Sequence, residues 1–571
     1  MKHERWLPLV FLALALLALA PIFQHPSYYA SAYDWRYFQS WIEVGRRSVL
    51  WFHQVPLWNP YGCGGEVLLA NPQSEVASPT FVWALLFGTA LGVKLMLLTY
   101  YFCAFDGMYR LARDHEASVS ASLLASVLFG AGGWLALHLS SGHSNFASAA
   151  LFPYLVLCYR RGREQLEWAI PLGAIAAWII AHGGTSTPAM ATVLLATVST
   201  VDAAKRRSLK PYRVLLLGAA CAFALGAARI LPALEFALDH PRRQWETDSS
   251  TVFEMIKNAY FWAGLQAVPG KRYWFHEYGY RLAYVTPPLI LWSAIAKKPT
   301  RAWWWVVAIG AGIVAGRAIP YGPWWLLKHL PIYRDLRVPS RYAVLLALAF
   351  PLLCAGALDD LRARVAEWRG EKFARVAAAI VVVLAAGDGV AFQWARWYKI
   401  FDLQQREPRR DVAFSHIHGS WQTMMFTVLE GHGAIACDEE APLERALQLD
   451  EGDVPQVRLA DPSAGRIPAV HWTPNRVELM LELDRPTTVM INENWNEHWK
   501  TSAGQVVRVG PKVERDKDGG RLGVEAPAGK YELDVYYRPR SFVLGASISG
   551  GAFPLLLGLW IWIRRRRRRA A

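Results

Sequence analysis

The chain alternates long apolar runs with short polar segments over most of its length. A helix rises 1.5 Å per residue, so about 20 apolar residues cross the roughly 30 Å of hydrocarbon in a bilayer. About twelve apolar runs are candidates for such helices, at approximately 6–23, 80–108, 118–139, 146–159, 168–182, 187–202, 212–232, 280–296, 302–319, 341–358, 375–396 and 541–563. The overlong run at 80–108 predicts a short interfacial piece followed by a spanning helix that begins near Lys94. The pattern predicts a mainly α, polytopic membrane protein.

The connections between these runs differ in charge in a regular way. Basic residues concentrate in every second connection, and Lys and Arg are favoured in cytoplasmic loops. The rule places both termini in the cytoplasm, together with residues 110–116, 159–164, 202–213, 296–301, 359–375 and the six Arg at 564–569. The extracytoplasmic side then receives residues 24–79, 142–145, 182–185, 233–279, 320–340 and 397–540.

The first extracytoplasmic loop, residues 24–79, is polar and rich in aromatic residues. Four apolar side chains of its first half fall on one helical face, namely Trp35, Phe38, Ile42 and Val49. This spacing predicts an amphipathic helix lying flat on the membrane surface. The second half, residues 56–79, contains many Pro, Gly and Asn residues and predicts a loop held by turns.

Residues 397–540 differ in pattern from the rest of the chain. Apolar and polar residues alternate with a period of two in Arg476–Leu483 and Tyr531–Tyr537, and Pro527–Lys530 is a turn signal. These features predict a β-sandwich-like extracytoplasmic domain. The predicted organisation is therefore a transmembrane domain at 1–396, a β-rich domain at 397–540, and a final helix with a cytoplasmic Arg tail at 541–571.

Composition agrees with a membrane location. Of the 571 residues 53% are hydrophobic and only 19% are charged, and the 27 Trp suit the lipid–water interface. The formal charge of +15 does not imply a nucleic acid partner, because the positive-inside rule accounts for the basic clusters. The N-terminal apolar run resembles a signal peptide but has no well-placed cleavage site, so we interpret it as an uncleaved first helix.

The six Cys residues form no metal-binding or disulfide signature. Four of them lie in apolar runs, while Cys63 and Cys437 stand alone in polar segments. A disulfide between these two requires that both face an oxidising compartment, and the sequence leaves that pairing open.

Ionisable residues are scarce within the predicted spans. A transporter is expected to carry such residues or broken helices at mid-membrane depth. Here polar and aromatic residues gather at the extracytoplasmic ends of the spans instead. This distribution favours an enzyme that works at the membrane surface on a lipid-linked substrate.

Several motifs together resemble the YfhO-like family of bacterial membrane proteins, which is grouped with the GT-C fold glycosyltransferases. The motifs are Asp34, PLWNPY (56–61), Gly64-Gly65, ANPQS (70–74), Pro79, Gly142-His143 with Pro153, His182-Gly183, LRVPSRY (336–342), Trp499, PAGK (527–530) and YRP (537–539). The resemblance covers nearly the whole chain. It implies a hexosyl or pentosyl transferase in a bacterial cytoplasmic (inner) membrane. Such an enzyme moves a sugar from a polyprenyl-phosphate donor to a glycan, lipid or protein acceptor of the cell envelope.

Asp34 is the candidate catalytic residue. In GT-C enzymes an acid of the first extracytoplasmic loop serves as general base or orients the acceptor, and Asp34 occupies that position by resemblance. An acceptor hydroxyl needs a carboxylate within hydrogen-bond reach as the glycosyl cation develops. The alternative interpretation is that Asp34 only caps the following helix. Glu66 and Glu75 are the reserve acids of the same loop.

Many GT-C enzymes pair the first acid with a second one in another outer loop, and this sequence departs from that pattern. The loop at 140–146 offers His143 and no carboxylate, so no metal site is predicted and a divalent-ion requirement is unsupported. His143 is a candidate for a hydrogen bond to the donor phosphate or to the acceptor. The alternative is that it satisfies helix ends at the interface, and the same alternatives hold for His182.

Arg337 and Arg341 are the main candidates for the donor phosphate. They flank Pro339 just outside a spanning helix, and a guanidinium offers a rigid fork of donors that matches phosphate oxygens. The alternative is that both side chains snorkel at the helix end. Arg242, Arg243, Lys271 and Arg272 are weaker candidates for the same role.

Loop 56–79 is predicted to hold the sugar or the acceptor. Aromatic rings stack on sugar faces and amides bond hydroxyl groups, and these roles are assigned to Trp58, Asn59, Tyr61, Glu66, Asn71 and Gln73, together with His182. Each motif is also a good turn former, so a purely structural role is equally open. Two other functions stay as alternatives for the whole chain: a transporter or flippase of lipid-linked glycans, and a non-catalytic scaffold of envelope assembly.

Overall fold

The computed structural model describes residues 3–240, 248–261, 266–296, 298–404, 406–409, 413–420, 423–436, 449–510 and 520–570. Arg242, Arg243 and Cys437 lie outside these ranges. Within them the chain is mainly helical, with β-strands concentrated towards the C-terminal end. This agrees with the predicted fold class.

Most of the described helices coincide with the predicted apolar runs, and four of them lie in the predicted polar connections, at 35–50, 252–260, 323–327 and 424–430. In chain order they are α1 Leu7–Ala18, α2 Trp35–Leu50, α3 Val82–Asp114, α4 Val119–Gly130, α5 Gly133–Ser140, α6 Phe152–Gly162, α7 Ala169–Ala181, α8 Ser186–Arg206, α9 Lys210–Asp239, α10 Val252–Tyr260, α11 Thr286–Ile295, α12 Trp304–Val314, α13 Pro323–Leu327, α14 Ala343–Arg369, α15 Glu371–Trp397, α16 Met424–Glu430 and α17 Arg540–Ala570.

Seven helical segments of the described chain are long and apolar enough to cross a membrane. They are Pro79–Asp114, Val119–Ser140, Ser186–Arg206, Lys210–Asp239, Pro339–Arg369, Glu371–Trp397 and Arg540–Arg567. Three shorter apolar helices, Leu7–Ala18, Leu166–Ala181 and Thr286–Ile295, coincide with further predicted runs. The segments identify a membrane protein by length and composition, and the count of twelve spans stays a prediction.

Helix α3 is broken near its start, as its unusual length suggests. Gly88 has φ 79° and ψ 164°, a conformation that interrupts the helix and that glycine adopts without a steric penalty. Beyond this break, the Lys94 ammonium is enclosed and donates to the carbonyl oxygens of His25, Pro26 and Tyr28 at 2.5–3.0 Å. Lys94 therefore ties the first loop to the spanning part of α3.

The predicted cytoplasmic connections contact one another, so they share one end of the helix bundle. We call this end the basic end. Its ion pairs join separate connections, namely Arg160–Asp114 at 2.6 Å, Arg163–Asp202 at 2.6 Å, Arg206–Glu164 at 3.0 Å and Arg567–Glu167 at 2.9 Å. The loops predicted to be extracytoplasmic meet at the other end, which we call the site end.

The strands form two main sheets and two small pairs. They are β1 Trp58–Asn59, β2 Glu66–Val67, β3 His416–Ile417, β4 Gly433–Ala434, β5 Val457–Leu459, β6 Gly465–Thr473, β7 Arg476–Leu483, β8 Thr487–Asn494, β9 Trp499–Thr501, β10 Gln505–Val509, β11 Arg521–Ala526 and β12 Gly529–Tyr537. One four-stranded sheet has the order β10-β11-β8-β5 and the other β6-β7-β12-β9. Alternate residues of both sheets are buried in a common apolar core, as in a β-sandwich.

Helix α2 is not the surface helix that its amphipathic pattern predicts. Both of its faces are covered, and Glu43 and Arg47 on the polar face are 1% and 0% exposed. These two side chains form an ion pair at 3.1 Å, and Thr89 donates to the second Glu43 oxygen at 2.7 Å. The pairing satisfies the charges, so the polar face is buried without orphaned carboxylates. The amphipathic pattern therefore does not mark a lipid-facing surface.

Residues of the first loop share a core with the β-sandwich. Tyr37, Phe38, Trp41 and Val44 of α2 pack in the same cluster as the inner faces of both sheets. Loop 56–79 is held there by hydrogen bonds, for example from Asn494 Nδ2 to the carbonyl oxygens of Cys63 and Gly65 at 2.6 and 2.8 Å. The domain boundaries predicted from the sequence stay predictions. They assign the first loop and the β-sandwich to different domains, although these two segments pack together.

Candidate active site

Asp34 lies immediately before α2, at the site end. It occupies the N-cap position of the helix, yet its side chain makes no capping hydrogen bond. The side chain is 50% exposed. The capping interpretation therefore explains the position of Asp34 along the helix but not the direction of its carboxylate, which points towards His143.

The backbone brings the loop after α5 directly against Asp34. Gly142 has φ 96°, and a side chain there would place its Cβ 2.4 Å from Trp35 N and 2.8 Å from Asp34 N. Only glycine permits this close approach. Next to it, His143 Nε2 lies 3.4 Å from Asp34 Oδ2. The Gly142-His143 motif therefore serves to bring an imidazole beside the acid.

A second carboxylate joins the cluster from the loop between α10 and α11. Glu277 Oε1 lies 4.0 Å from His143 Nε2. Arg341, just before α14, clamps Glu277 with two nitrogens, Nε to Oε2 at 2.8 Å and Nη2 to Oε1. Burial opposes ionisation of Glu277, but the Arg341 guanidinium outweighs it and holds the pKa of Glu277 well below its usual range.

Two more imidazoles complete the cluster. His138 of α5 is buried, and its Nδ1 lies 3.1 Å from His143 Nδ1. The His276 ring centroid lies 5.0 Å from that of His143. Burial and the neighbouring positive groups lower the pKa of His276 to about 4, so this ring is neutral at pH 7.

The arrangement can hold and move a proton. If the His138 Nδ1–H donates to His143 Nδ1, then His143 carries its proton on Nε2 and faces both carboxylates. Asp34 is half-exposed, whereas Glu277 is 4% exposed and neutralised by Arg341. Asp34 is thus the carboxylate that can reach a substrate hydroxyl, and the paired Glu277 orients His143.

The same residues offer a donor set for a divalent metal. One ligand atom from each of His138, His143 and Glu277 lies within 4.8 Å of the others. Imidazole and carboxylate together suit Zn²⁺ or Mn²⁺ better than Ca²⁺. No second acid for such a site was identified from the sequence. Glu277 is that acid, and it comes from the loop between α10 and α11, which was considered only for its basic residues.

Two of the predicted phosphate-binding residues belong to this cluster. Arg341 and His143 belong to the cluster, although two of the three Arg341 guanidinium nitrogens are engaged with Glu277. Arg337, two residues before Pro339, is half-buried. The ion pair with Glu277 is made by Arg341. Lys271, a weaker candidate, pairs with Glu254 at 2.9 Å. A phosphate-binding role for these residues stays a prediction.

Four of the predicted sugar-binding residues are buried beside the outer domain. Trp58 Nε1 donates to Glu493 at 2.6 Å, and its ring packs 5.4 Å from that of Trp499. Glu66 accepts hydrogen bonds from Asn59 Nδ2 at 2.9 Å and from Trp41 Nε1 at 2.8 Å. Tyr61 is 8% exposed. These contacts hold loop 56–79 on the β-sandwich and do not place the four side chains at Asp34.

The other three predicted sugar-binding residues, Asn71, Gln73 and His182, lie in turns and at helix ends. Asn71 Oδ1 accepts from the Gln73 amide at 3.0 Å, which closes an Asx turn. His182 is buried and lies 3.1 Å from both Ser78 Oγ and the Ser144 carbonyl oxygen. This agrees with the interpretation of His182 as a residue that satisfies chain ends. Sugar binding by these residues stays a prediction.

Sequence reasoning missed His138, His276 and Glu277. His138 stands in an apolar run without a motif, and nothing local distinguishes it. The pair His276-Glu277 was detectable, because it is a titratable pair within the aromatic stretch YWFHEYGY of a loop predicted to be extracytoplasmic.

Comparisons with known proteins give only distant structural likenesses. No family model and no curated protein matches the chain. Arabinofuranosyltransferase AftD from Mycobacteria is 16% identical with a TM-score of 0.42, covering 70% of this chain and 27% of that one, so the match spans about a quarter of AftD. ArnT from Cupriavidus metallidurans in the apo state is 13% identical with a TM-score of 0.46, covering 77% and 87%.

A second ArnT structure, bound to undecaprenyl phosphate, is also 13% identical, with a TM-score of 0.41 and coverage of 74% and 77%. All these scores lie below 0.5, so the likenesses carry no argument about this chain. Membership of the YfhO-like family stays a prediction. What the site can do follows from its own geometry.

Proposed function

We propose that the protein is a membrane glycosyltransferase of GT-C type. It transfers a sugar from a polyprenyl-phosphate-linked donor to a cell-envelope acceptor at the site end of the bundle, with Asp34 as the general base. The observation that carries this proposal is the convergence of Asp34, His143, Glu277 and Arg341. These residues come from four segments far apart in sequence and meet where the spanning helices end.

The cluster has the parts that glycosyl transfer needs. As the acceptor oxygen bonds to the anomeric carbon, the bond from that carbon to the phosphate oxygen breaks and the polyprenyl phosphate leaves. The acceptor proton passes to Asp34, the half-exposed carboxylate. His143 lies beside Asp34 and stabilises its charge between turnovers. In this proposal the Arg341 nitrogen that Glu277 does not engage, Nη1, donates to the leaving phosphate, while Glu277 fixes the position of the guanidinium.

Two observations support an extracytoplasmic site. Cys63 of loop 56–79 is disulfide-bonded, and structural disulfides persist in oxidising compartments. Cys437, the partner considered from the sequence, lies outside the described residues. The basic connections gather at the opposite end, which the positive-inside rule assigns to the cytoplasm. A bacterial inner membrane with both termini cytoplasmic is the corresponding proposal.

Replacing Asp34 with Asn tests the role of the carboxylate. Removal of a general base costs about 10²–10⁴-fold in rate, so kcat for sugar transfer should fall by that factor while donor binding changes little. The assay follows transfer from a radiolabelled polyprenyl-phosphate sugar by the protein in liposomes. Asp484→Asn is the control, because Asp484 is an exposed acid of the outer domain. Undiminished transfer by Asp34→Asn would remove Asp34 from the mechanism.

The same liposomes separate an enzyme from a transporter. An enzyme attaches labelled sugar covalently to an acceptor, and the product survives extraction. A flippase moves the intact lipid-linked glycan between leaflets with no covalent product. Leaflet exchange without transfer, unaffected by Asp34→Asn, would favour the transporter and contradict the proposed function.

A further inference from the structure

A cavity lies where the end of α9 meets the outer β-sandwich. Its volume is about 280 Å³, and both parts of the protein line it. Helix α9 contributes Glu235 and Asp239, and the segment between β8 and β9 contributes Trp495, Asn496, Glu497 and His498. None of these residues belongs to the candidate active site.

Three side chains converge at this cavity with a mixed donor set. His498 Nε2 lies 3.4 Å from Glu235 Oε2 and 4.0 Å from Glu497 Oε1, and one ligand atom from each residue lies within 4.8 Å of the other two. Zinc bonds of about 2.0–2.2 Å place two ligand atoms of a tetrahedral site roughly 3.3–3.6 Å apart. The His498–Glu235 separation already has this value, and a rotation of the exposed Glu497 side chain would shorten its separations from His498 and Glu235.

We propose that Glu235, Glu497 and His498 bind a divalent transition metal, with Zn²⁺ the best fit. An imidazole together with two carboxylates favours Zn²⁺ over Mg²⁺ and Ca²⁺, which prefer all-oxygen ligands. Three protein ligands leave the fourth tetrahedral position open, and the cavity provides the space for a water or ligand group there. This site is independent of the proposed glycosyl transfer.

One contact around the ligands supports this assignment. The Ser541 hydroxyl, in the first turn of α17, donates to Glu235 Oε2 and so holds one ligand in position.

The position of the site suggests what the metal does. Glu235 belongs to a spanning helix, Glu497 and His498 to the β-sandwich, and Ser541 to the final helix. A bound metal would therefore join three elements at the junction between the bundle and the outer domain. Because the metal binds only the docked arrangement, it stabilises that arrangement, and above the Kd the stabilising free energy rises with the logarithm of the free metal concentration.

Metal content of the purified full-length protein tests the assignment. The protein in detergent is stripped with EDTA, loaded with Zn²⁺, desalted, and measured by inductively coupled plasma mass spectrometry. All variants are made in a His143→Ala background, so that the donor set at the candidate active site does not contribute. We expect one Zn²⁺ per chain in this background, and none after Glu497→Gln or His498→Gln.

Two further variants make the test specific. Ser541→Ala keeps all three ligands but removes the contact that orients Glu235, so we expect about 10–100-fold weaker Zn²⁺ binding in a competition titration. Glu525→Gln, an exposed acid of β11, is the matched control and should retain the metal. Glu497 is 58% exposed, so its replacement is compatible with folding, which thermal unfolding without metal verifies.

The alternative is that His498 is protonated and forms ion pairs with the two glutamates, without a metal. In that case the His143→Ala protein retains no Zn²⁺, or retains the same amount after Glu497→Gln and His498→Gln. Either result overturns the proposal. All these variants lack His143 of the candidate active site, so the test reads metal content alone and its outcome does not depend on glycosyl transfer.

Discussion

Replacing Glu277 with Gln probes the ion pair at the centre of the candidate site. Both Glu277 oxygens accept from Arg341, and Glu277 is 4% exposed. Gln keeps the shape but turns one accepting oxygen into an N–H donor that faces the guanidinium. Breaking a buried pair from one side costs about 3–5 kcal/mol, because the remaining charge stays buried without compensation. Arg341 is 24% exposed, so we expect the lower part of this range, about 3 kcal/mol.

A double replacement separates stability from function. In Glu277→Leu/Arg341→Met no buried charge remains, and such replacements are often neutral in stability or better. We therefore expect the double variant to lie within about 1–2 kcal/mol of the wild type while sugar transfer is lost. Loss of transfer in a stable protein would show that the pair serves the site, since a purely structural pair could be replaced without effect.

Reversible unfolding in mixed micelles, followed by Trp fluorescence, measures both variants and the single Arg341→Met. Glu482→Gln is the control, because its Arg466 partner is 74% exposed and such surface pairs contribute at most about 1 kcal/mol. A cost below about 1 kcal/mol for Glu277→Gln, with no coupling energy between the two positions, would refute the reasoning.

Three further predictions follow from other contacts. Gly142→Ala should reduce transfer and destabilise the protein by about 1–3 kcal/mol, because its Cβ meets the backbone at the start of α2. Burial raises the pKa of Glu75 to about 8 from 4.5, so unfolding free energy should fall with rising pH between these values, by at most on the order of 5 kcal/mol, and Glu75→Gln should remove this slope. Trp58→Phe should lower Tm and leave KM unchanged, because it removes the hydrogen bond to the buried Glu493 at a cost of about 1–3 kcal/mol.

Each of these predictions has its own measurement and control. Gly452 also has positive φ, 88°, but no atom lies within 4 Å of the added Cβ, so equal activity loss in Gly452→Ala would contradict the steric explanation. For Glu75, unfolding is measured from pH 5 to 9, and an unchanged slope in the Gln variant refutes the prediction. For Trp58, a raised KM at unchanged Tm would instead support the sugar-binding interpretation.

The direction in which Glu75 changes stability with pH follows from whether the folded or the unfolded state binds its proton more tightly. The unfolded chain ionises this carboxyl near pH 4.5, whereas the folded protein keeps it neutral until about pH 8. In between, the folded state binds more protons than the unfolded state, so stability falls as the pH rises. The contribution is fully present below pH 4.5 and is lost above pH 8.

The parts of the candidate site that a local sequence motif marks could be predicted. Asp34 and the Gly142-His143 motif were named from sequence, and the structure places His143 beside Asp34. The prediction was wrong about α2, because helical amphipathicity does not say whether a covered face meets lipid or protein. Glu43 and Arg47 are buried as a pair, and only their tertiary neighbours decide that.

The sequence by itself determined the helical bundle, the basic end and the β-sandwich, because apolar periodicity and charge asymmetry are properties of neighbouring residues. Only the tertiary structure decided that Glu277 and His138 join Asp34, since they lie more than a hundred residues from it and no local pattern links them. The same holds for the meeting of Glu235 with His498. Contacts between distant segments depend on how the helices pack, and that packing brings the residues of both candidate sites together.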